Sequence, residues 1–338
     1  AIVIENKKVK DVINQASVTE GGSFEVIDFG DTYAIPGIIE THAHLQFSAT
    51  PDAYEIYFEE NENQRYERAV KNAETALMSG VTSLRDLGSP NNLIFPIQND
   101  INDGIIKGPN IYPTGTPITI KDGHCWFFGA TVNDINDIFR VIDNQLSLGA
   151  THIKMMASGG NFTPSSNPRI SQFSLKTIQE TVNYCNKNNT YLCAHTLSRK
   201  STIQCIESGV QNIIHGRWFD ESSDKAYSFN KEYSNLKKIS NNKKLKLLDI
   251  NNQVSQIKKT SVALIGSFQI KNLSMAVIAA RLCDLDDNKI NKALKKIKNV
   301  EGRLDLIKKY SNNIRVFVDY AHTPDALCEA IKSIKNSY

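Results

Sequence analysis

No apolar run among the 338 residues approaches the roughly 20 needed to cross a bilayer, so no membrane-spanning helix is expected and membrane partners are excluded. The opening "AIVIENKKVKDV" lacks a charged start followed by an apolar core and a cleavage site, so no secretory leader is read there. An initiating Met is also lacking, which leaves room for an upstream segment. One-sided charge is missing as well. The formal net charge is only +3, and the basic residues are not interleaved with aromatics in any stretch that would stack bases, so nucleic acid is excluded as a partner. The six cysteines, Cys125, Cys185, Cys193, Cys205, Cys283 and Cys328, include no C-x-x-C pair and no regular spacing. That pattern suits buried thiols in a reducing compartment, and a cytoplasmic protein is expected. With 41% apolar and 22% charged residues, the chain has the makeup of an ordinary globular protein with one large core or two medium ones.

What is present is a repeated phrase. After short alternating runs over residues 1 to 33, "AIVIENKKV" and "SFEVIDFGDTY", which suggest small antiparallel strands, residues 35 to about 220 repeat a β-rich apolar run followed by a helical pattern. The strand candidates are "IPGIIETHAH", "GVTSLRDLG", "PNIYPTG", "ATHIKMMASGG", "YLCAHT" and "VQNIIHG". "NQRYERAVKNAETALMSG" and "SLKTIQETVNYCNKNN" carry helical spacing between them. Alternating strands and helices predict parallel β/α structure, in which chemistry gathers at the C-terminal ends of the strands. His42, His44, Lys154, His195 and His215 all fall at such positions.

His42 and His44, two apart, share one face of a strand and could aim at one ion; taken alone, they serve equally as polar residues at a strand end. Singly, His195 and His215 suit buried, hydrogen-bonded histidines. Lys154 stands between Ile153 and Met155 inside an apolar run. Desolvation there would lower its pKa and expose a neutral amine, the form that takes up CO2 as a carbamate.

In "IPGIIETHAHL", "GVTSLRDLG", "GPNIYPTGTPIT", "GHCWFFG", "GATHIKMMASGG", "AHT" and "IIHGRWFDE", residues 1 to about 225 resemble the amidohydrolase superfamily, specifically its prolidase-like dipeptidases related to imidazolonepropionase. The resemblance implies an α/β fold: a TIM-like (β/α) barrel over 35–225, preceded by an N-terminal β-sandwich piece over 1–34. It implies two divalent metal ions, expected as zinc. His42 and His44 would hold the more buried ion, a carboxylated Lys154 would bridge, and His195 and His215 would hold the second. A bridging water, ionised to hydroxide, would then attack the carbonyl of a small peptide or amide substrate. Lys154, His195 and His215 count as catalytic on this basis, and His124, on the loop after the third strand, as substrate-binding. Leu197 stands where the dipeptidases carry an aromatic residue. The family's eighth-strand Asp, which binds metal and shuttles the proton, has no counterpart, and no seventh strand phrase follows His215.

Near residue 226 the character changes to a Lys- and Asn-rich stretch. Beyond it, "LIGSFQIKNLSMAVIAA", "VEGRLDLI" and "VFVDYAHTPDALCEAI" resemble the Mur ligases, within which UDP-N-acetylmuramoyl-tripeptide synthetase is the nearest kind. The resemblance implies the end of a central ATPase domain over 226–312 and the start of a C-terminal domain over 313–338. It makes Asn272, Arg303, Asp319 and His322 nucleotide-binding, with ATP and Mg as cofactors only if that part functions. No G-x-x-x-x-G-K-[ST] phosphate loop occurs in the chain. Two families, each cut within a domain, describe a chimera of two truncated genes. Six strands do not close an eight-stranded barrel, so two unpaired edges are expected. An oligomer is compatible with such edges.

Overall fold

In the computed structural model, residues 1–14, 25–221, 248, 250–258, 264–321 and 324–337 are described. The chain divides into two compact units, Ala1–Ser228 and Phe229–Tyr338.

The first unit opens with a hairpin of β1 (Ile2–Glu5) and β2 (Lys8–Val12). Asn6 and Lys7 both take positive φ, as a two-residue hairpin turn requires. The second alternating run, "SFEVIDFGDTY", does not become a strand over its described residues 25–33. Its alternation marks a face to be buried, yet no neighbouring strand pairs with it, and Val26, Ile27 and Phe29 remain exposed.

Six strand candidates each contain an observed parallel strand: β3 (Ile38–Ala43), β4 (Val81–Asp86), β5 (Asn110–Pro113), then β8 (Ile153–Met156), β9 (Leu192–His195) and β10 (Asn212–Ile214). Two short strands had no sequence signature, β6 (Ile118–Ile120) and β7 (Ala130–Val132). Three residues are too few to set up a readable period. Pairing gives two parallel sheets, ordered β3-β4-β5 and β10-β9-β8-β6-β7. Between β5 and β6 the chain passes through Gly115 at φ +67°, where an added Cβ would lie 1.8 Å from Gln145 Oε1. Gln145 is thereby close enough to accept the Thr116 N–H.

The outer face of the larger sheet packs on helices Ile135–Ser147, Leu175–Lys187 and Arg199–Ser208. Ile118, Ile138, Ile142, Ile153, Met155, Ile178 and Leu192 form that core, each fully buried aliphatic contributing about 1.5–3 kcal/mol. Side chains Ser174 and Asp134 cap the starts of two of these helices. The smaller sheet buries Leu84 and Ile111 against Ala69 and Ala73 of helix Glu62–Met78, and against Ile94, Phe95 and Ile97. Cys125, Cys185, Cys193 and Cys205 are buried in this unit, whereas Cys283 and Cys328 of the second are exposed.

In the second unit, helices Asn251–Lys258, Ser267–Leu282 and Asp287–Leu294 enclose Ile257, Val277, Ile290 and Leu294. An antiparallel hairpin of β11 (Asp305–Lys309) and β12 (Arg315–Val318) follows, then helix Pro324–Ser337.

Among the described residues β3 pairs only with β4, and β10 only with β9. Parallel strands are normally covered on both faces, yet Ile38 is 49% and Ile39 67% exposed. An apolar edge of this kind templates further strands. Static light scattering of the purified chain is expected to show concentration-dependent self-association, and Ile39→Lys should reduce it severalfold; unchanged scattering would clear this edge.

Candidate metal centre

Parallel strands deliver all their C-terminal ends to one side, and strand alternation decides which residues face inward there. Ile153, Met155, Leu192 and Ala194 belong to the helix-side core, so Lys154, Cys193 and His195 occupy the opposite face. His42 ends β3 two residues before His44. His215 follows β10 directly and takes φ +67°, a left-handed backbone unusual for a side chain of its size.

The five histidines form a continuous arc. Ring centroids lie 5.3 Å apart for His44 and His42, 5.1 Å for His42 and His215, 4.8 Å for His215 and His195, and 4.4 Å for His195 and His124. His124 and His195 are each 5% exposed, and Lys154 only 1%. His124 fits because Gly160 has no side chain; a Cβ there would stand 2.3 Å from the ring. Thr163 Oγ1 lies 3.2 Å from its Nδ1.

Burial lowers the pKa of all five rings: His42 to about 3, His44 to about 4 and His124 to about 3, His195 well below the ordinary value, and His215 in the same direction. The positive charge of Lys154 adds to the effect on every one. Burial draws Lys154 itself down to about 8. Arg85, which donates to Thr41 O at 2.8 Å and to Asn212 Oδ1 at 3.1 Å, adds further positive charge. The interior thus holds neutral imidazoles and two basic groups, an electrostatic setting that favours an anion.

Neutral imidazoles are ligands for divalent transition metals. Two rings are already oriented by carbonyls, which can only accept, so the contacting nitrogen carries the proton. His44 Nδ1 donates to Gly88 O at 2.9 Å and leaves Nε2 free; His195 Nε2 donates to Gly159 O at 3.2 Å and leaves Nδ1 free. Among the described residues no three histidine, cysteine or acidic side chains converge as a closed ligand group. The imidazole nitrogens are donors of the kind that suits a metal; an anionic member of the set would have to come from elsewhere, and Lys154 is the group placed to become one.

Sequence reasoning passed over Asp86, the last residue of β4. It is wholly buried, accepts from Leu45 N at 3.0 Å and Gly88 N at 3.1 Å, and burial pushes its pKa up to about 7. An acid closing an apolar strand, in "SLRDLG", was the available signal.

In the second unit, the residues singled out from the sequence lie as follows. Asn272 is exposed on helix Ser267–Leu282, and the Arg303 guanidinium lies 5.7 Å from the Tyr320 ring centroid. Asp319 accepts from Leu304 N and Ala321 N, both at 2.8 Å, so both its oxygens serve the backbone. His322 lies outside the described residues.

Residues 33–317 match the Amidohydrolase family. An ochratoxinase of Aspergillus niger is 26% identical over 215 residues, 55% of this chain and 44% of that protein. The chain thus spans less than half the length of the curated relative it matches. A UDP-N-acetylmuramoyl-L-alanyl-D-glutamate–2,6-diaminopimelate ligase of Rickettsia felis is 42% identical over 76 residues, 22% of this chain and 14% of the ligase. The crystal structure of an uncharacterized protein shares the fold at TM-score 0.50, with 24% identity over 59% of this chain and 53% of that one. A chain with partial likeness to both an amidohydrolase and a Mur ligase is chimeric in makeup.

The shifts fix how stability depends on pH. Six histidines, the five of the arc and His152, bind protons less readily folded than unfolded. As pH falls below 6.5 the unfolded chain takes up protons that the native one refuses, and stability drops. Asp86 works oppositely: its contribution is present at low pH and lost as pH rises from 3.8 toward 7. With six groups against one, the melting temperature of the metal-free chain should fall steadily from pH 7 to pH 5 in scanning calorimetry. A rise over that interval would contradict the buried neutral rings.

Proposed function

Because the chain belongs to the amidohydrolase family, whose members generally use divalent metals, we propose that it encodes metal-dependent hydrolysis of a peptide or other amide C–N bond in a small, dipeptide-like substrate. The observation that carries this is the arc of five imidazoles beside a buried lysine, four of them at the C-terminal ends of parallel strands and His124 on a loop.

His42 and His44 would hold one ion, and His195 and His215 the other. Zinc ions so held would supply acidification of water and polarisation of the substrate carbonyl. A substantial neutral fraction of Lys154 near pH 8 allows its Nζ to bond the carbon of CO2, releasing one proton and leaving a carbamate. That anion answers the unbalanced positive charge of the interior. His124, whose ring lies tilted against that of His195, is placed to orient the substrate.

In the superfamily the resemblance points to, the proton reaches the leaving nitrogen through an eighth-strand Asp. Among the described residues of the first unit no strand follows β10, and no residue takes that place. Positioned acid–base groups are worth about 10²–10⁴-fold, so turnover should fall short of an intact enzyme by that order while metal binding persists. Inductively coupled plasma analysis after equilibrium dialysis should find close to two zinc ions per chain, and His42→Ala should lose at least one of them together with any dipeptide hydrolysis. Unchanged zinc and activity in that variant would remove His42 and its partners from the site.

The Mur ligase likeness supports a second reading only as a remnant. Asp319 is committed to backbone N–H groups, and the sequence has no phosphate loop. Millimolar ATP with Mg should therefore leave the melting curve unmoved; a saturable upward shift would revive a nucleotide site.

A further inference from the structure

Among the groups that the proposed reaction does not use, the most constrained is Asp86. A carboxylate with no solvent exposure at a strand end is costly unless its oxygens are satisfied, and the partners here are informative. Oδ2 accepts the N–H of Leu45, the residue directly after His44. Oδ1 accepts the N–H of Gly88, whose carbonyl in turn receives His44 Nδ1 at 2.9 Å. One side chain thus holds the backbone just beyond the ring and the acceptor on which the ring leans.

The surrounding bonds reinforce this connection. Leu87 N donates to Ala43 O at 2.9 Å, which ties the tip of β4 to the residue before His44. Ser89 Oγ accepts from both Gln46 Nε2 and Ile94 N, at 2.9 and 3.0 Å. Gly88 takes φ +155°, and a Cβ there would meet Phe128 and His44 Cε1 at 3.1 and 3.2 Å, so its carbonyl approaches where no other residue fits without displacement.

We propose that Asp86 is a positioning residue for His44: by fixing Leu45 and Gly88 it sets the Nδ1–H tautomer of the ring and aims Nε2 into the metal centre. The aim toward metal rests on the function proposed above, whereas the tautomer does not. An isosteric amide cannot do the same work. Asn has one acceptor oxygen, and its NH2 would face a second N–H, so one of the two anchors is lost.

The test compares the full chain with Asp86→Asn, using long-range 15N–1H correlation of the metal-free histidine rings and zinc competition against a chelator. In the wild type, His44 should carry its proton on Nδ1; in Asp86→Asn that preference should be lost, with zinc bound at the His42 and His44 pair weakened about 10- to 100-fold and the second zinc retained. A merely structural Asp86 would lower the melting temperature but leave the tautomer and the zinc affinity of the folded fraction alone, and that outcome overturns the proposal. So does an Nε2–H tautomer in the wild type. If the wild type binds no zinc yet the tautomer changes in Asp86→Asn, the metal reading fails and the positioning role stands. Should Asp86→Asn not fold, Asp86→Ser, smaller and with one acceptor oxygen, carries the same two measurements.

Discussion

Burial of Lys154 with no acidic partner among the described residues is the constraint on which the first unit turns. An ammonium in that position is desolvated, and its charge bears on every histidine of the arc. The rings, lowered first by their own burial and further by that charge, are neutral near pH 7, and neutral rings are the ones with lone pairs to offer. Burial thus sets the reactivity of the amine, and the amine in turn reinforces the ligand character that burial gives its neighbours.

The sheet arrangement makes that placement achievable. Parallel pairing aligns Met156 with His195 across β8 and β9, and His195 with Ile214 across β9 and β10, so residues far apart in sequence end at one level. The loops then finish the work. "ASGG" after β8 supplies the carbonyl that orients His195 and the bare glycine that admits His124, two services from consecutive residues. His215 reaches its neighbours only by leaving β10 in a left-handed turn, a strain of order 1–3 kcal/mol that its surroundings must offset.

Legibility in the sequence followed length and period. Strands such as β4 and β8 lie inside long apolar phrases flanked by glycine, and each could be placed. β6 and β7, three residues each, carried no period. "SFEVIDFGDTY" erred in the other direction, since alternation records a preference for a covered face but cannot supply the cover. At the site, His42, His44, His195 and His215 could be picked out because each lies at the end of an apolar run, whereas His124, after "KDG", was found only through the family resemblance. That they form one arc, with His215 in the middle, depends on backbone geometry that no local pattern encodes. Asp86 was missed because its importance lies in two backbone N–H groups, and these look alike at every residue.

The distribution of cysteines separates the two units chemically. Burial pushes Cys125, Cys185 and Cys205 up to about 12 and Cys193 up to about 11, so almost no thiolate exists in the first unit near neutrality. Cys283 and Cys328 face solvent. An alkylating fluorophore would accordingly report on the second unit alone while the native state lasts. Labelling of the other four would then serve as a clock for opening of the first.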